Sequence, residues 1–450
     1  MLIQLLGRER VFTERSDLIP YCSDYSRIIS HEEFGAWPLC VVLPETAQEV
    51  SEIVKLAIEH GTPIIPRGGG SSGVGGTIPS DGSIVLSTSR MDKVIEVDPV
   101  NMMVTAQAGV NLKRMDELLE PHGLTLAQEQ GSYKTANIGG AVSTNGFSMR
   151  HNRYRNIGDN VLSMEVVIGD GRILRTGRKV CSNSSGYALH KIFVGAEGTL
   201  GIITELTLRV MPKPEVGMAL GASFDSWEDA ERTAIRIMQR GLGYSGGWCV
   251  GSVSPELETG EMTGTIVLGV EGDREEAATT KRLLESMLKE EGGKLLDEKQ
   301  SFEDWRHTRM FWCGAASEDF AIDDLVAAMP LQHYDEAFAR IEREIFPKYG
   351  IRSDDEEKRV ICIGTRPIVE FNFTYKEKKL SLADKQKAFG EMMRVVAEYG
   401  GVGPGVHAVG LLLRDYFGIE HDPVRFAVMR EMKKLFDPHN IMNPGKKFIG

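Results

Sequence analysis

Six glycines fall within the ten residues RGGGSSGVGG from Arg67 to Gly76, and what flanks them restricts the fold more than any other feature of the chain. A short strand-like run, Pro63 to Ile65, leads in, and the next regular run is strand-like again, SIVLSTS at Ser83 to Ser89. Gly70, Gly73 and Gly76 are spaced three apart, as in a dinucleotide fingerprint, but that fingerprint must open a helix whose N-terminus meets the pyrophosphate. No helical pattern follows here, so a Rossmann unit is excluded. The loop reads either as a nest of bare N–H groups that wraps an anion or as a flexible turn.

The surrounding pattern is mixed. Thr46 caps an amphipathic helix with Glu49 three residues on and apolar Val50, Ile53, Val54, Ala57 and Ile58 at helical spacing, ending near Gly61. Strands DKVIEVDP and MMVTAQAG and a helix LKRMDELLEPHG lead to a second small-residue segment, GSYKTANIGGAVSTNG at Gly131 to Gly146. Such composition suits backbone pressed against a flat ligand. VLSMEVVIGDGRILRTGR reads as a hairpin turning at Gly169, Asp170 and Gly171. FVGAEGTLGIITELTLRVMPKP then sets Gly195, Gly198 and Gly201 before an alternating strand closed by Pro212 and Pro214.

After about residue 215 the elements lengthen. A strand ALGASF, a helix capped by Ser226, a strand TGTIVLGV and a charged helix capped by Asp273 follow in turn. A similar order recurs, with a helix from about Gln332 to Lys348, a strand Ile368 to Tyr375 and a helix from about Leu382 to Tyr399. The fold class is α+β, with ferredoxin-like halves joined in one open antiparallel sheet covered by helices. Asp422 and Pro423 start a last helix, and an irregular tail, DPHNIMNPGK, follows.

Composition narrows the function. With 64 acidic against 52 basic residues and a net charge of -12, general binding to nucleic acid or anionic membranes is excluded. The six cysteines are scattered with no CxxC pair, which excludes a zinc ribbon or ferredoxin-type cluster and reads as free thiols in a reducing compartment. The N-terminus lacks the ordered regions of a signal peptide, and no long apolar run could span a membrane, so a cytoplasmic location is expected.

PRGGGSSGVGG, IGGAVSTNG, VLSMEVVIGDGRILRTG, VGAEGTLGIITELTLRVMPKP and the closing LFDPHNIMNPGK, in this order and spacing, resemble the FAD-linked oxidases of the vanillyl-alcohol-oxidase and p-cresol-methylhydroxylase superfamily. The branch of D-lactate dehydrogenases and glycolate oxidases is most similar. The resemblance implies a two-part PCMH-type FAD-binding domain over 1–215, a cap domain over 216–418 and a segment 419–450 that packs back on the first. It implies that Arg67, Gly68, Gly69, Gly70, Ser71, Ser72 and Gly73 cradle the pyrophosphate. Ser132, Ile138, Gly139, Gly140, Ser143 and Asn145 would lie along the ribityl chain and isoalloxazine, and Glu197, Gly198, Gly201 and Ile203 on the adenine side. Many relatives carry a flavin-linking histidine in the first loop; GGGSSG has none, so non-covalent FAD is expected.

The chain departs from this family at the catalytic centre. Hydroxy-acid relatives place two histidines of HxGDGNxH and the glutamate of EHGIG on a divalent metal. Here the strand is IGTRPIVEFNF and the loop GPGVHAVG, so those ligands fall on Ile363, Glu370 and Val406, and only His407 is kept. One carboxylate cannot hold a metal where three ligands are required, so no metal is expected. The Tyr-Arg pair of aryl relatives falls on Pro404 and Gly405. His407 is the expected base for the substrate hydroxyl, because imidazole titrates near neutral pH. Glu370 and Tyr375 are the further catalytic candidates, and Asn372, Arg306 and Arg309 the substrate-binding ones, a guanidinium fork suiting a carboxylate. Period-two alternation predicts that, if Glu370 and Asn372 face the flavin, Phe371 and Phe373 pack under helices.

The implied function is an FAD-dependent oxidoreductase that removes hydride from an alcohol carbon, foremost of a 2-hydroxy acid. Electrons would pass to an iron-sulfur subunit, an electron-transferring flavoprotein, a quinone or oxygen, and a homo-oligomer is expected. Three alternatives stand beside it: a metal-free oxidoreductase on another alcohol or phenol, a redox-neutral enzyme like alkyl-glycerone-phosphate synthase, and a flavin-binding subunit without chemistry.

Overall fold

The computed structural model describes residues 1–26, 36–253, 261–311, 323–353, 358–375 and 380–448, with the backbone course alone for 307–311, 323–324 and 374–375. The first sheet has order β1-β2-β4-β3: β1 Val11–Phe12, β2 Cys40–Val42, β3 Ile64–Arg67 and β4 Ile84–Ser87. Its β2, β4 and β3 run parallel, and the crossover between β2 and β3 is the helix Ala47–His60. Thr46 accepts from the Glu49 amide at its start, and Gly61 closes it at φ 62°, as the sequence predicts. The glycine loop joins β3 to β4 with no helix between them.

The second sheet is antiparallel, order β5-β6-β10-β8-β9: β5 Val94–Asp98, β6 Met103–Gln107, β8 Val161–Ile168, β9 Ile173–Gly177 and β10 Gly201–Arg209. A ribbon of β7 Leu124–Thr125 and β11 Met211–Pro212 flanks it. Central β10 is buried on both faces rather than half exposed, because Ile202 packs into the core of the first sheet and Ile203, Leu206 and Leu208 into that of the second. The second small-residue segment also differs from expectation. Ile138–Thr144 is a short helix ending at Asn145 in the left-handed region. Its glycines mask the helical period, and Gly139 is needed because a Cβ there would meet that of Ala108 at 2.6 Å.

The third sheet carries the chain's largest core. Its order is β15-β12-β14-β13-β18-β19-β16, with β17 on β19, and every pairing is antiparallel. The strands are β12 Val216–Phe224, β13 Gly246–Val253, β14 Met262–Gly272, β15 Lys294–Leu295, β16 Asp323–Ala327, β17 Ile351–Ser353, β18 Arg359–Ile363 and β19 Ile368–Tyr375. Helices Trp227–Arg240, Arg274–Glu290, Tyr334–Glu344 and Leu382–Glu398 cover its upper face. The predicted helix 332–348 is broken, since Pro347 lies in the first turn of a separate short helix, Phe346–Tyr349.

The lower face carries a row of residues without side chains, two of which meet the half of the chain built on the first two sheets. Gly246 pairs with Gly269, and Gly364 follows one step beyond the Gly247–Ile363 pair. A Cβ on Gly246 would stand 1.8 Å from the Met149 carbonyl oxygen, one on Gly364 2.2 Å from His151 Nε2, and one on Gly269 2.1 Å from the Trp305 ring. The segment 149–151 therefore lies directly on the sheet. Arg150 fixes it there: Nε and Nη2 donate to Glu271 Oε2 at 2.9 and 2.7 Å, and Nη1 donates to Glu129 at 3.1 Å. Burial works against the Arg150 charge, but the two carboxylates outweigh it and raise its pKa. Asn152 Nδ2 donates to the Tyr244 carbonyl at 2.7 Å.

The C-terminal helix Pro423–Phe436 returns the tail to the first half, where Met442 bridges Ile64 in parallel. Asn443 Nδ2 donates to Gly76 O and Glu197 O, and Lys446 Nζ to Ile78 O.

Candidate active site

A cleft opens between the glycine loop, the helix Ile138–Thr144 and the start of β10. Of the expected cofactor residues, Arg67, Gly68, Ser72, Gly139, Gly140, Ser143, Glu197, Gly198, Gly201 and Ile203 line it. Gly140 faces open space, and the Gly68 backbone approaches it so closely that a Cβ on Gly68 would lie 3.7 Å from the Gly140 Cα. Side chains at either position would fill the cleft, so its walls suit a flat, extended ligand held by backbone amides. Among the described residues that line it, none is His, Cys or Tyr.

Other expected residues stand behind the wall. Gly69 lies against the Thr135 carbonyl, 1.9 Å from where its Cβ would be. Gly70 takes φ 68° over the Arg67 guanidinium, and Ile138 is buried in the second core. Ser71, Gly73, Ser132 and Asn145 are likewise absent from the lining, and Ser132 Oγ accepts from Gln130. Sequence reasoning missed Thr77, Thr88, Ala108 and Ala408 among the lining residues, although Ala408 directly follows His407 in the GPGVHAVG loop.

Among the described lining residues Arg67 and Glu197 alone are charged, and both side chains are committed to the protein. Arg67 donates to Ser23 O at 2.8 Å, Pro20 O at 3.1 Å and Thr77 Oγ1 at 3.2 Å. Burial lowers its pKa, opposed by the neighbouring Asp24. Its guanidinium thus holds residues 20–24 against the glycine loop. Glu197, left-handed at φ 53°, accepts from Val409 N at 3.1 Å and Gly410 N at 2.8 Å, and from Lys447 Nζ at 3.1 Å. Its own amide donates to Ser143 O at 2.8 Å.

Those two amides belong to the loop that carries His407. Its other end is sewn to the third sheet: Gly405 N donates to Val326 O at 2.8 Å, and Val402 pairs with Ala328. Gly403 N donates to the Glu420 carboxylate, whose pKa burial raises to about 7. Ala408, at φ 68°, lines the cleft, and Val406 packs under the sheet. Half-buried His407 sits between them, at the seam where cleft and sheet meet.

Alternation along β19 sends Phe371 and Phe373 up against Tyr334, Phe338, Phe346 and Phe389, as predicted. Ile368, Glu370 and Asn372 take the lower face, where Glu370 pairs with Val360 and Val326 in the registers of β18 and β16. Both polar residues are buried, at 2% and 3% exposure, rather than on a solvated face. The same alternation separates two of the positions onto which the metal ligands fall. Ile363 belongs to the upper core, whereas Cys362 shares the lower face with Glu370. Tyr375 has the register parity of Phe371 and Phe373, not of Glu370, and its side chain, like that of Arg309, lies outside the described residues. Arg306 is exposed, beside the buried Trp305. Among the described residues no group of three or more His, Cys, Asp and Glu side chains could hold a metal ion.

Residues 38–177 match the FAD binding domain model, and residues 213–447, more than half the chain, match that of the C-terminal domain of FAD linked oxidases. This protein is a member of the FAD-linked oxidase family. The FAD-linked oxidase is 31% identical over 434 residues to a D-lactate dehydrogenase of Archaeoglobus fulgidus, covering 90% of each chain. It is 28% identical to the glycolate oxidase protein GlcD of Bacillus subtilis, over 99% of this chain and 96% of that one. Its fold is shared with p-cresol methylhydroxylase at TM-score 0.79 and 19% identity, over 99% and 95% of the two chains. Alkyldihydroxyacetonephosphate synthase follows at 0.75 and 19%, over 97% and 82%. FAD is accordingly the cofactor of this flavoprotein oxidoreductase. Among the described residues no helix is long and apolar enough to cross a membrane.

Proposed function

We propose that this flavoprotein oxidises the carbinol carbon of a 2-hydroxy acid, with an FAD-binding domain over 1–215, a cap over 216–418 and a tail 419–450 closing the first. Relatives named D-lactate dehydrogenase and glycolate oxidase, matched over nearly the full chain, support the substrate class. The observation that carries the reading is the anchoring of the His407 loop to the cap sheet through Gly405 and to the cleft through Glu197. Bound FAD would supply the two-electron acceptor for the carbinol hydride, held non-covalently because the first loop, GGGSSG, offers no flavin-linking histidine.

Gly68, Ser72, Gly139, Gly140 and Ser143 would hold it through backbone amides and small side chains. His407 takes the hydroxyl proton as the C–H bonding pair leaves as hydride, so that the product is the 2-oxo acid. Glu370 and Asn372 orient the hydroxyl from the lower face of the sheet. Arg306 and Arg309 serve the substrate carboxylate, whose planar oxygens fit a guanidinium fork. The two electrons leave to a separate acceptor. Anaerobic mixing with 2-hydroxy acids and aryl alcohols tests the reading, since only an oxidisable substrate bleaches the flavin. Bleaching by 2-hydroxy acids is expected. Bleaching by aryl alcohols alone would replace the substrate class, and no bleaching by any compound would point to a flavin-binding protein without chemistry.

A further inference from the structure

A second cavity, of about 400 Å³, lies outside the flavin cleft and shares no described lining residue with it. It is bounded by the end of the edge strand β9 and its continuation, Arg175 to Arg178, and by the loop from Asn183 to His190. Its size falls within the range that takes a small ligand, about 300–1,000 Å³. No carboxylate is among its described lining residues, and residues 171–196 hold five Lys and Arg but no Asp or Glu, in a chain of net charge -12. Four of these five cations are held by the protein: Arg172 by Asp170 at 2.7 Å, Arg175 by Glu165 at 2.5 Å, Lys179 by Glu96 at 2.6 Å and Lys191 by the Gly158 carbonyl at 2.6 Å. The fifth, Arg178, lines the cavity and makes no hydrogen bond or ion pair among the described residues.

Further donors of the lining lack acceptors. Asn183 Oδ1 accepts from Ser185 N at 2.8 Å, which leaves the Nδ2 amino group without a partner among the described residues. Ser185 Oγ has none there either, and Gly186, at φ 89° with open space where a Cβ would stand, donates its amide to no described backbone acceptor. His190 Nδ1 is buried with no partner. A wall rich in donors and without carboxylates is completed by an anion of several oxygens, not by a cation or an apolar group. We infer that this cavity takes a phosphate monoester, its oxygens on Arg178, Ser185 and the Gly186 amide and its organic part against Tyr187, whose ring is 94% exposed. A dianion with three terminal oxygens uses more of these donors than a carboxylate does, and a guanidinium fork binds two of them at once.

The test uses the FAD-loaded protein, so that the flavin cleft is occupied. Phenyl phosphate and glycerol 3-phosphate are titrated by calorimetry, and vesicles of phosphatidic acid in phosphatidylcholine are assayed by co-sedimentation. Both soluble esters should bind, phenyl phosphate the more tightly, with the visible flavin spectrum unchanged. Arg178→Gln should weaken both about tenfold to a hundredfold, the loss for hydrogen bonds to a charged group. Arg172→Gln, outside the lining and paired with Asp170, should leave them unchanged. Because Arg178 holds no other described group, its variant should melt and carry FAD as the wild type does, and Ser185→Ala gives a second loss at the same site. Sedimentation with vesicles that Arg178→Gln abolishes, without binding of either soluble ester, would keep the phosphate site and make a lipid headgroup its source. Binding of neither form, or affinities that Arg178→Gln and Ser185→Ala both leave at the wild-type value, would overturn the inference.

Discussion

Replacing Gly246 by alanine probes the contact that fixes the cap over the cofactor cleft. The new Cβ would stand 1.8 Å from the Met149 carbonyl oxygen and 3.6 Å from the Arg150 Cα, whereas real Cβ contacts essentially never fall below 3.0 Å. Strand or segment must therefore separate by at least 1.2 Å. No flexible side chain can absorb that movement, because both colliding groups are backbone or Cβ. The segment is also pinned on either side, by Arg150 to Glu271 and Glu129 and by Asn152 to the Tyr244 carbonyl. Overpacking a rigid contact costs about 1–3 kcal/mol, and this case belongs at the upper end. A displacement near 1 Å between reacting groups slows chemistry by about a hundredfold. Gly246→Ala should thus melt at a lower temperature and reduce its flavin about a hundredfold more slowly, while keeping FAD, because Gly246 is not among the residues that line the cleft. Gly217→Ala is the control, since its Cβ would meet only the Glu271 side chain, with Cγ at an ordinary 3.8 Å. Wild-type melting and reduction rates in Gly246→Ala would refute the reasoning.

Glu197→Gln keeps the shape of the clamp but removes the charge shared by Val409 N, Gly410 N and Lys447, a loss of about 1.5–3 kcal/mol for hydrogen bonds to a charged group. Flavin reduction should slow about tenfold to a hundredfold with FAD affinity little changed, and an equal effect on both would make Glu197 a cofactor ligand rather than a positioning residue. Burial lowers the His151 pKa from 6.5 to about 4, so on acidification the unfolded chain takes up the proton first. Stability should therefore fall by about 3 kcal/mol as pH drops from about 6.5 to about 4, and chemical denaturation of His151→Asn across that range should lack this component. Acid precipitation should release FAD into the supernatant; flavin left in the pellet would show a covalent link.

The local signals that carry through to the structure are those with a single physical cause. Thr46, Ser226, Asp273 and Asp422 cap the helices that the sequence pattern assigns to them, because a side-chain oxygen over free amides is decided within four residues. The antiparallel cap sheet is legible for a similar reason, since turn residues separate its alternating runs. The helix at Ile138–Thr144 is not, because close packing on Ala108 demands glycine where helical period would be read. Arg67 shows a second limit: a basic residue in a glycine loop reads as an anion ligand, yet its partners are three protein oxygens, two of them carbonyls some 45 residues earlier in the chain. The glycine row Gly246, Gly269 and Gly364 has no one-dimensional signal, because its members become neighbours only through strand register.

The central claim is that a base on the cap loop, held at the seam with the cofactor cleft, takes the hydroxyl proton as hydride leaves. Stopped-flow reduction of the FAD-loaded wild type and His407→Ala, with the best 2-hydroxy acid under anaerobic conditions, tests it most directly. The variant should keep its flavin and be reduced about a hundredfold to ten-thousandfold more slowly, the range for loss of a general base. Equal reduction rates at full FAD occupancy would contradict the account and leave His407 as a packing residue of the seam.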